Sequence, residues 1–153
     1  MPNDRLVQDA LLAYAHYISI FALASVIIAE LVLLRKTMLP DLARRMRIVD
    51  RGYGIVAALV ILTGVLRLNL GLKGSQFYVH NPVFWTKMAL FVAVGLISIV
   101  PTIAYIRWNK RLAPDGSITL ENGEFNQLRT LLWVQIILFL FIPLCAVFMA
   151  RGL

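Results

Sequence analysis

The sequence predicts an all-α integral membrane protein that folds as a four-helix bundle, with both termini on the outer, periplasmic side. Three observations lead to this prediction. Of the 153 residues, 60% are hydrophobic, which is more than an ordinary water-soluble domain contains. Four apolar stretches are each long enough to cross a bilayer, and the basic residues gather in two of the loops that connect them.

Helix length sets the number of crossings. A hydrocarbon layer about 30 Å thick requires roughly 20 residues of α-helix, with every backbone polar group paired inside the helix. Four stretches of one predicted domain, residues 1–153, meet this requirement, and no apolar stretch remains for a fifth. Their approximate bounds are residues 10–34, 53–72, 83–106 and 125–150.

The first span carries two ionisable residues at different depths. His16 lies about two turns into the span, and Glu30 lies near its end. An ionisable side chain that faces lipid costs on the order of 3 kcal/mol, so both residues are expected to face protein or water.

An amphipathic segment that starts at Pro40 precedes the second span. This pattern predicts either an interfacial helix or an extension of the span itself. Within the span, Gly54, Ala57 and Gly64 form a surface of small residues that is typical of close helix contacts.

The third and fourth spans also carry readable signals. Asn81 followed by Pro82 predicts a helix N-cap with proline at the first helical position. Gln135 in the fourth span is expected to hydrogen-bond a neighbouring helix. At 100° per residue, one side of the third span carries Lys87, Ser98, Pro101, Thr102 and Tyr105. This side is expected to face the interior of the bundle.

The distribution of Lys and Arg predicts the orientation, because cytoplasmic loops hold the excess of these residues. The loop after span one has Arg35, Lys36, Arg44, Arg45, Arg47 and Arg51, and the loop after span three has Arg107, Lys110 and Arg111. The opposite side has only Arg5, Lys73 and Arg151 outside the spans. Both termini are therefore expected on the periplasmic side of a bacterial inner membrane. Since the charges lie between apolar runs and form no dense basic tract, nucleic acid is not an expected partner.

This topology predicts two layers of polar side chains within the bundle. On the outer side, His16, Arg67 and Lys87 should lie at similar depth, with Tyr78 and His80 in the adjoining loop. On the inner side the sequence predicts a charge network, either a structural set of ion pairs or a proton or ion pathway. Its members are Glu30, Asp50, Arg107 and Arg129.

Three functions are compatible with these residues, and they leave open whether the protein is an enzyme. The first is binding of haem or another anionic redox cofactor in an outer-side pocket. There His16 would ligate the iron, His80 could be a second ligand, and Arg67, Lys73 or Lys87 could pair with the propionates. The second is a small proton- or ion-coupled carrier or channel. The third is a non-catalytic membrane subunit or scaffold that forms a homo-oligomer through its small-residue faces.

The chain resembles a bacterial membrane-protein family of unknown function, the domain of unknown function twenty-two fourteen. The matching segments extend from Asp50 to Trp108: Asp50-Arg51-Gly52-Tyr53-Gly54, Thr63-Gly64-Val65-Leu66-Arg67, Lys73-Gly74, Phe77-Tyr78, His80-Asn81-Pro82-Val83-Phe84-Trp85-Thr86-Lys87 and Ser98-Ile99-Val100-Pro101-Thr102. This resemblance implies a membrane protein but no particular activity.

A more distant similarity is to the four-helix families of membrane protoporphyrinogen oxidases and copper-resistance membrane proteins. The oxidase family has a functional histidine in its first helix and a lysine entering its third, which correspond here to His16 and Lys87. The local sequence differs, since Lys87 follows Phe84-Trp85-Thr86 and lacks the family's nearby histidine. The similarity implies a shared bundle with a pocket near its outer face.

Overall fold

The computed structural model describes residues 2–72, 74–111 and 116–151. In these ranges it contains five α-helices and one pair of short strands. In chain order they are α1 (Pro2–Leu33), β1 (Thr37–Met38), α2 (Pro40–Leu70), α3 (Gly74–Val79), α4 (Pro82–Arg111), β2 (Ile118–Thr119) and α5 (Asn122–Ala150).

The four long helices are each apolar enough, and at 29 to 32 residues long enough, to cross a membrane. They form a closed arrangement in which α1 packs against α2 and α5, and α4 packs against the same two helices. The predicted all-α membrane bundle is therefore confirmed. We call the end at which α1 begins and α5 finishes the terminal end, and the end that carries β1 and β2 the strand end.

Large apolar side chains cover the outside of the bundle. Phe21, Ile55, Leu96 and Leu140, one from each long helix, are all more than half exposed. Such extensive apolar surface is unfavourable in water and favourable in lipid. The exterior is thus suited to a bilayer, while His16, Ser19, Glu30, Asp50 and Gln135 are buried inside the bundle.

The strand end is closed by a short antiparallel pairing of the two loops. Thr37 pairs with Thr119 and Met38 with Ile118, and the Leu120 N–H donates to the Lys36 carbonyl at 2.8 Å. The side chain of Met38 is buried, so apolar packing anchors the pairing as well.

The core consists of two apolar clusters at different depths. The strand-end cluster contains Leu34, Met38, Ala43, Met46, Ala104, Tyr105, Trp108, Leu120, Leu128 and Leu132. The central cluster, nearer the terminal end, contains Leu23, Ile27, Tyr53, Val60, Val94, Phe139 and Ile142. Because the clusters are separate, the residues between them on each helix form a layer of their own.

Several helix bounds differ from the predicted spans. Helix α2 begins at Pro40, so the amphipathic segment is an extension of the second span. The reason is packing, since Ala43 and Met46 are buried in the strand-end cluster and hold this segment in the bundle. Helix α4 likewise continues to Arg111. The predicted cap of α4 is confirmed, because the Asn81 Oδ1 atom accepts the Val83 N–H at 2.8 Å.

Candidate functional site

A cavity of about 240 Å³ lies at the terminal end of the bundle. All four long helices and α3 contribute to its walls, which are mostly apolar. The polar side chains among its lining residues are His16, Tyr17, Arg67, Tyr78 and Lys87. None of the described lining residues is acidic. The cavity therefore combines apolar walls with an excess of positive charge.

His16 is held in a defined orientation by α2. Its side chain is only 5% exposed, and its Nδ1 atom lies 2.9 Å from Oγ1 of Thr63. The Thr63 hydroxyl donates its single hydrogen to the Leu59 carbonyl at 2.7 Å, so its oxygen accepts the hydrogen bond from Nδ1–H of His16. In the tautomer that fits this geometry the lone pair of the imidazole lies on Nε2, the nitrogen that could bind a metal.

Gly64 gives the imidazole ring its space. A Cβ atom at position 64 would lie 3.3 Å from Cε1 of His16, closer than ordinary van der Waals contact between carbon atoms. The ring of His16 therefore lies directly against the α2 backbone, and Gly64 serves the close helix contact predicted for it. Gly54 does not, since a Cβ atom there would meet nothing within 4 Å.

Arg67 and Lys87 bring two positive charges to the same cavity from α2 and α4. The guanidinium of Arg67 lies 5.5 Å from the centre of the Tyr17 ring, a cation–π contact. Its buried Nε atom has no hydrogen-bond partner among the described residues. Two cations beside apolar walls repel each other more strongly than they would in water. An anion bound between them would relieve that repulsion.

Helix α3 and the start of α4 form an aromatic wall beside the cavity. The distance between ring centroids is 5.3 Å for Phe77 and Tyr78, 6.3 Å for Tyr78 and Phe84, and 5.5 Å for Phe84 and Trp85. The Trp85 indole N–H donates to the Val79 carbonyl at 3.0 Å, which ties the two helices together.

The structure thus brings His16, Arg67 and Lys87 together, as the sequence predicted, but it leaves His80 out. His80 is exposed, its Nδ1 atom lies 2.9 Å from the Gln76 carbonyl oxygen, and it does not line the cavity. The reason is that α3 turns the loop so that Phe77 and Tyr78 face the cavity instead. Lys73 lies outside the described residues.

The predicted inner charge network is brought together only in part. Glu30 and Asp50 are buried, whereas Arg107 and Arg129 are exposed. Among the described residues, Asp50 instead accepts a hydrogen bond from Thr102. The hydrogen bond predicted from Gln135 to a neighbouring helix is not present in the described structure either, since both amide atoms are buried without a partner.

Sequence reasoning missed Thr63 and Tyr17 as parts of the site. A signal for Thr63 was present, because Thr63 and Arg67 are four residues apart in one helix and such residues share a face. Tyr17, which lines the cavity and makes the cation–π contact with Arg67, carried no comparable signal, since it is half exposed.

The match to a family model covers nearly the whole chain. The model described as "Predicted membrane protein (DUF2214)" matches residues 8–153, which include the cavity residues on all four long helices. No match to the chain was found among curated proteins or solved structures. The chain belongs to the DUF2214 family of predicted membrane proteins.

Proposed function

We propose that the terminal-end cavity binds an anionic, mostly apolar cofactor, and that haem is the cofactor its donors fit best. One observation carries the proposal. The imidazole of His16 and two cations line the same apolar cavity, and none of the described lining residues is acidic. Two unbalanced charges inside a membrane protein are costly, and the carboxylates of an anionic ligand would balance them.

Each group in the cavity has a part in this proposal. The Nε2 atom of His16 would ligate the iron, because the hydrogen bond to Thr63 occupies Nδ1. Arg67 and Lys87 would hold the propionates. Phe91, Phe139 and other apolar lining residues would cover the porphyrin. When bound, haem supplies one-electron redox chemistry.

We place the protein in a bacterial inner membrane as a multi-pass protein, with the terminal end outside. The support is the excess of Lys and Arg in the loops of the strand end. In this orientation the cavity lies under the outer face of the membrane.

The absorbance spectrum of the protein purified from its own membrane tests the proposal. We expect a Soret band, or its appearance when haemin is added. His16→Ala should abolish this band, and the double variant Arg67→Gln/Lys87→Gln should weaken haemin binding by at least tenfold. His80→Ala is the matched control, because His80 is exposed and does not line the cavity; its spectrum should not change.

Two results would overturn the proposal. One is a colourless protein whose spectrum does not respond to haemin, and the other is a Soret band that persists in His16→Ala. In the first case, ion flux across liposomes would favour the carrier hypothesis. Its absence would favour a non-catalytic subunit or scaffold.

A further inference from the structure

A layer of polar residues separates the two apolar clusters of the core. Each long helix contributes one residue, which lies along its helix between members of the strand-end and central clusters. We call these four residues the polar layer: Glu30 of α1, Asp50 of α2, Thr102 of α4 and Gln135 of α5. Along the bundle, the central cluster lies between this layer and the cavity.

The contacts within the layer connect three helices. The Thr102 hydroxyl donates to Oδ1 of Asp50 at 2.5 Å, which joins α4 to α2. Glu30 on α1 is close enough to Asp50 for their charges to interact. Tyr105, from the next turn of α4, is within electrostatic reach of both carboxyl groups.

Several buried atoms in and beside the layer have no partner among the described residues. They are Oε1 of Glu30, the hydroxyl of Tyr105 and both amide atoms of Gln135. Glu30 is 3% exposed, and Tyr105 and Gln135 are completely buried. An unpartnered buried polar group is unfavourable, and such groups in native proteins are usually partnered by water or a ligand. The unpartnered atoms of the layer are therefore expected to bind water or a ligand.

The charges near the layer distinguish its two carboxyl groups. Arg47, one turn from Asp50 on α2, and the hydrogen bond from Thr102 offset part of the cost of a charge on Asp50. No described basic residue does the same for Glu30. The other titratable groups that face Glu30 are the phenols of Tyr53 and Tyr105, and the described part of α5 contributes only the neutral Gln135 to the layer.

A metal ion does not fit this arrangement as well as a proton does. Among the described residues, no group of three or more His, Cys, Asp or Glu side chains could hold a metal ion. A carboxylate without a counter-charge is unfavourable in the membrane interior, whereas a carboxylic acid is neutral and can also donate a hydrogen bond.

We propose that Glu30 is a proton-binding residue in the membrane interior. Its carboxylate takes up one proton and becomes a neutral carboxylic acid, while Asp50 stays charged near Arg47. Buried water partners the free atoms of Tyr105 and Gln135. Apolar clusters lie on both sides of the layer, so the proton exchanges only when water passes one of them. This site is independent of any cofactor in the cavity.

Infrared spectroscopy of the purified protein in lipid nanodiscs tests this inference, because a protonated carboxyl has its own C=O stretching band. At neutral pH we expect one such band in the wild type, with a small downshift in D₂O. The band should disappear in Glu30→Gln. The matched control is Glu121→Gln, which alters an exposed glutamate before α5 and should leave the band unchanged.

Isotope labelling makes the test independent of whether the variant folds. The chain has three glutamates, Glu30, Glu121 and Glu124, so carboxyl labelling of glutamate with ¹³C should shift the band in the wild-type protein. No protonated-carboxyl band at neutral pH, or a band that the label does not shift, would overturn the proposal. So would a band that disappears when Na⁺ replaces choline at constant pH, because the site would then bind a metal cation.

Discussion

The imidazole of His16 on α1 and the hydroxyl of Thr63 on α2 are joined by a hydrogen bond of 2.9 Å inside the bundle. This contact holds the ring in position and occupies its Nδ1 atom. It also links the first two helices at the level of the cavity. Its removal should therefore affect both the fold and the proposed binding of haem.

Thr63→Val tests that contact with almost no change in side-chain shape. We expect a loss of about 1–3 kcal/mol in the free energy of unfolding, because Nδ1–H of His16 is left without its acceptor. Haemin affinity should fall roughly tenfold or more, as is typical when the hydrogen-bond partner of a metal-binding histidine is lost. Denaturant unfolding in detergent and a haemin titration measure the two effects. Thr86→Val is the control, since Thr86 is exposed and bonds only within its own helix.

Gly64→Ala tests the close approach of His16 to α2. The added Cβ atom would lie 3.3 Å from the ring, and overpacking of this kind costs about 1–3 kcal/mol. Gly54→Ala provides the comparison, because its Cβ atom would meet nothing within 4 Å and the change should gain up to about 1 kcal/mol in helix propensity. Thermal unfolding of both variants should show the lower midpoint for Gly64→Ala. Equal midpoints would contradict the contact.

A disulfide across the strand end tests the pairing of the two loops. Thr37 and Thr119 face each other in the antiparallel pair, and side chains opposite each other are close enough for a disulfide bond. In a Cys145→Ala background, the double variant Thr37→Cys/Thr119→Cys should oxidise readily. A shift in gel mobility that a reductant reverses would show the bond. The pair Thr37→Cys/Ser117→Cys, two residues out of register, should oxidise much more slowly; equal rates would argue against this register.

Cysteine labelling tests the predicted orientation. Gln76 is exposed in α3 at the terminal end and Thr37 is exposed at the strand end. In a Cys145→Ala background, an impermeant maleimide should label Gln76→Cys in intact cells and Thr37→Cys only after the membrane is permeabilised. The reverse pattern would place the cavity on the cytoplasmic side.

The sequence predicted the bundle well because helix length and hydropathy alone determine how many helices can cross a bilayer. It also predicted that His16, Arg67 and Lys87 lie at similar depth in the membrane, since topology determines the level of each residue along its helix. It could not predict which residues meet at that level, because this depends on how each helix is rotated about its axis. Arg107 and Arg129, expected in one charge network with Glu30 and Asp50, illustrate this limit, because both are exposed while the two carboxyl groups are buried.

Loop conformation was equally difficult to predict. The sequence indicated that His80 lies near the outer pocket, but it contained no periodic signal for a six-residue helix from Gly74 to Val79. That helix decides which side chains of the loop reach the cavity. The strand pairing was not predicted either, because two-residue strands are shorter than any alternation pattern that a sequence can show.

The β1–β2 pairing restricts how the two helix hairpins can move relative to each other. It fastens the α1–α2 hairpin to the α4–α5 hairpin at one extremity of the bundle. If one hairpin rotates relative to the other, the pivot would lie near this strand pair. The displacement would grow with distance from the pivot, so the helices would separate most at the terminal end, where the cavity lies.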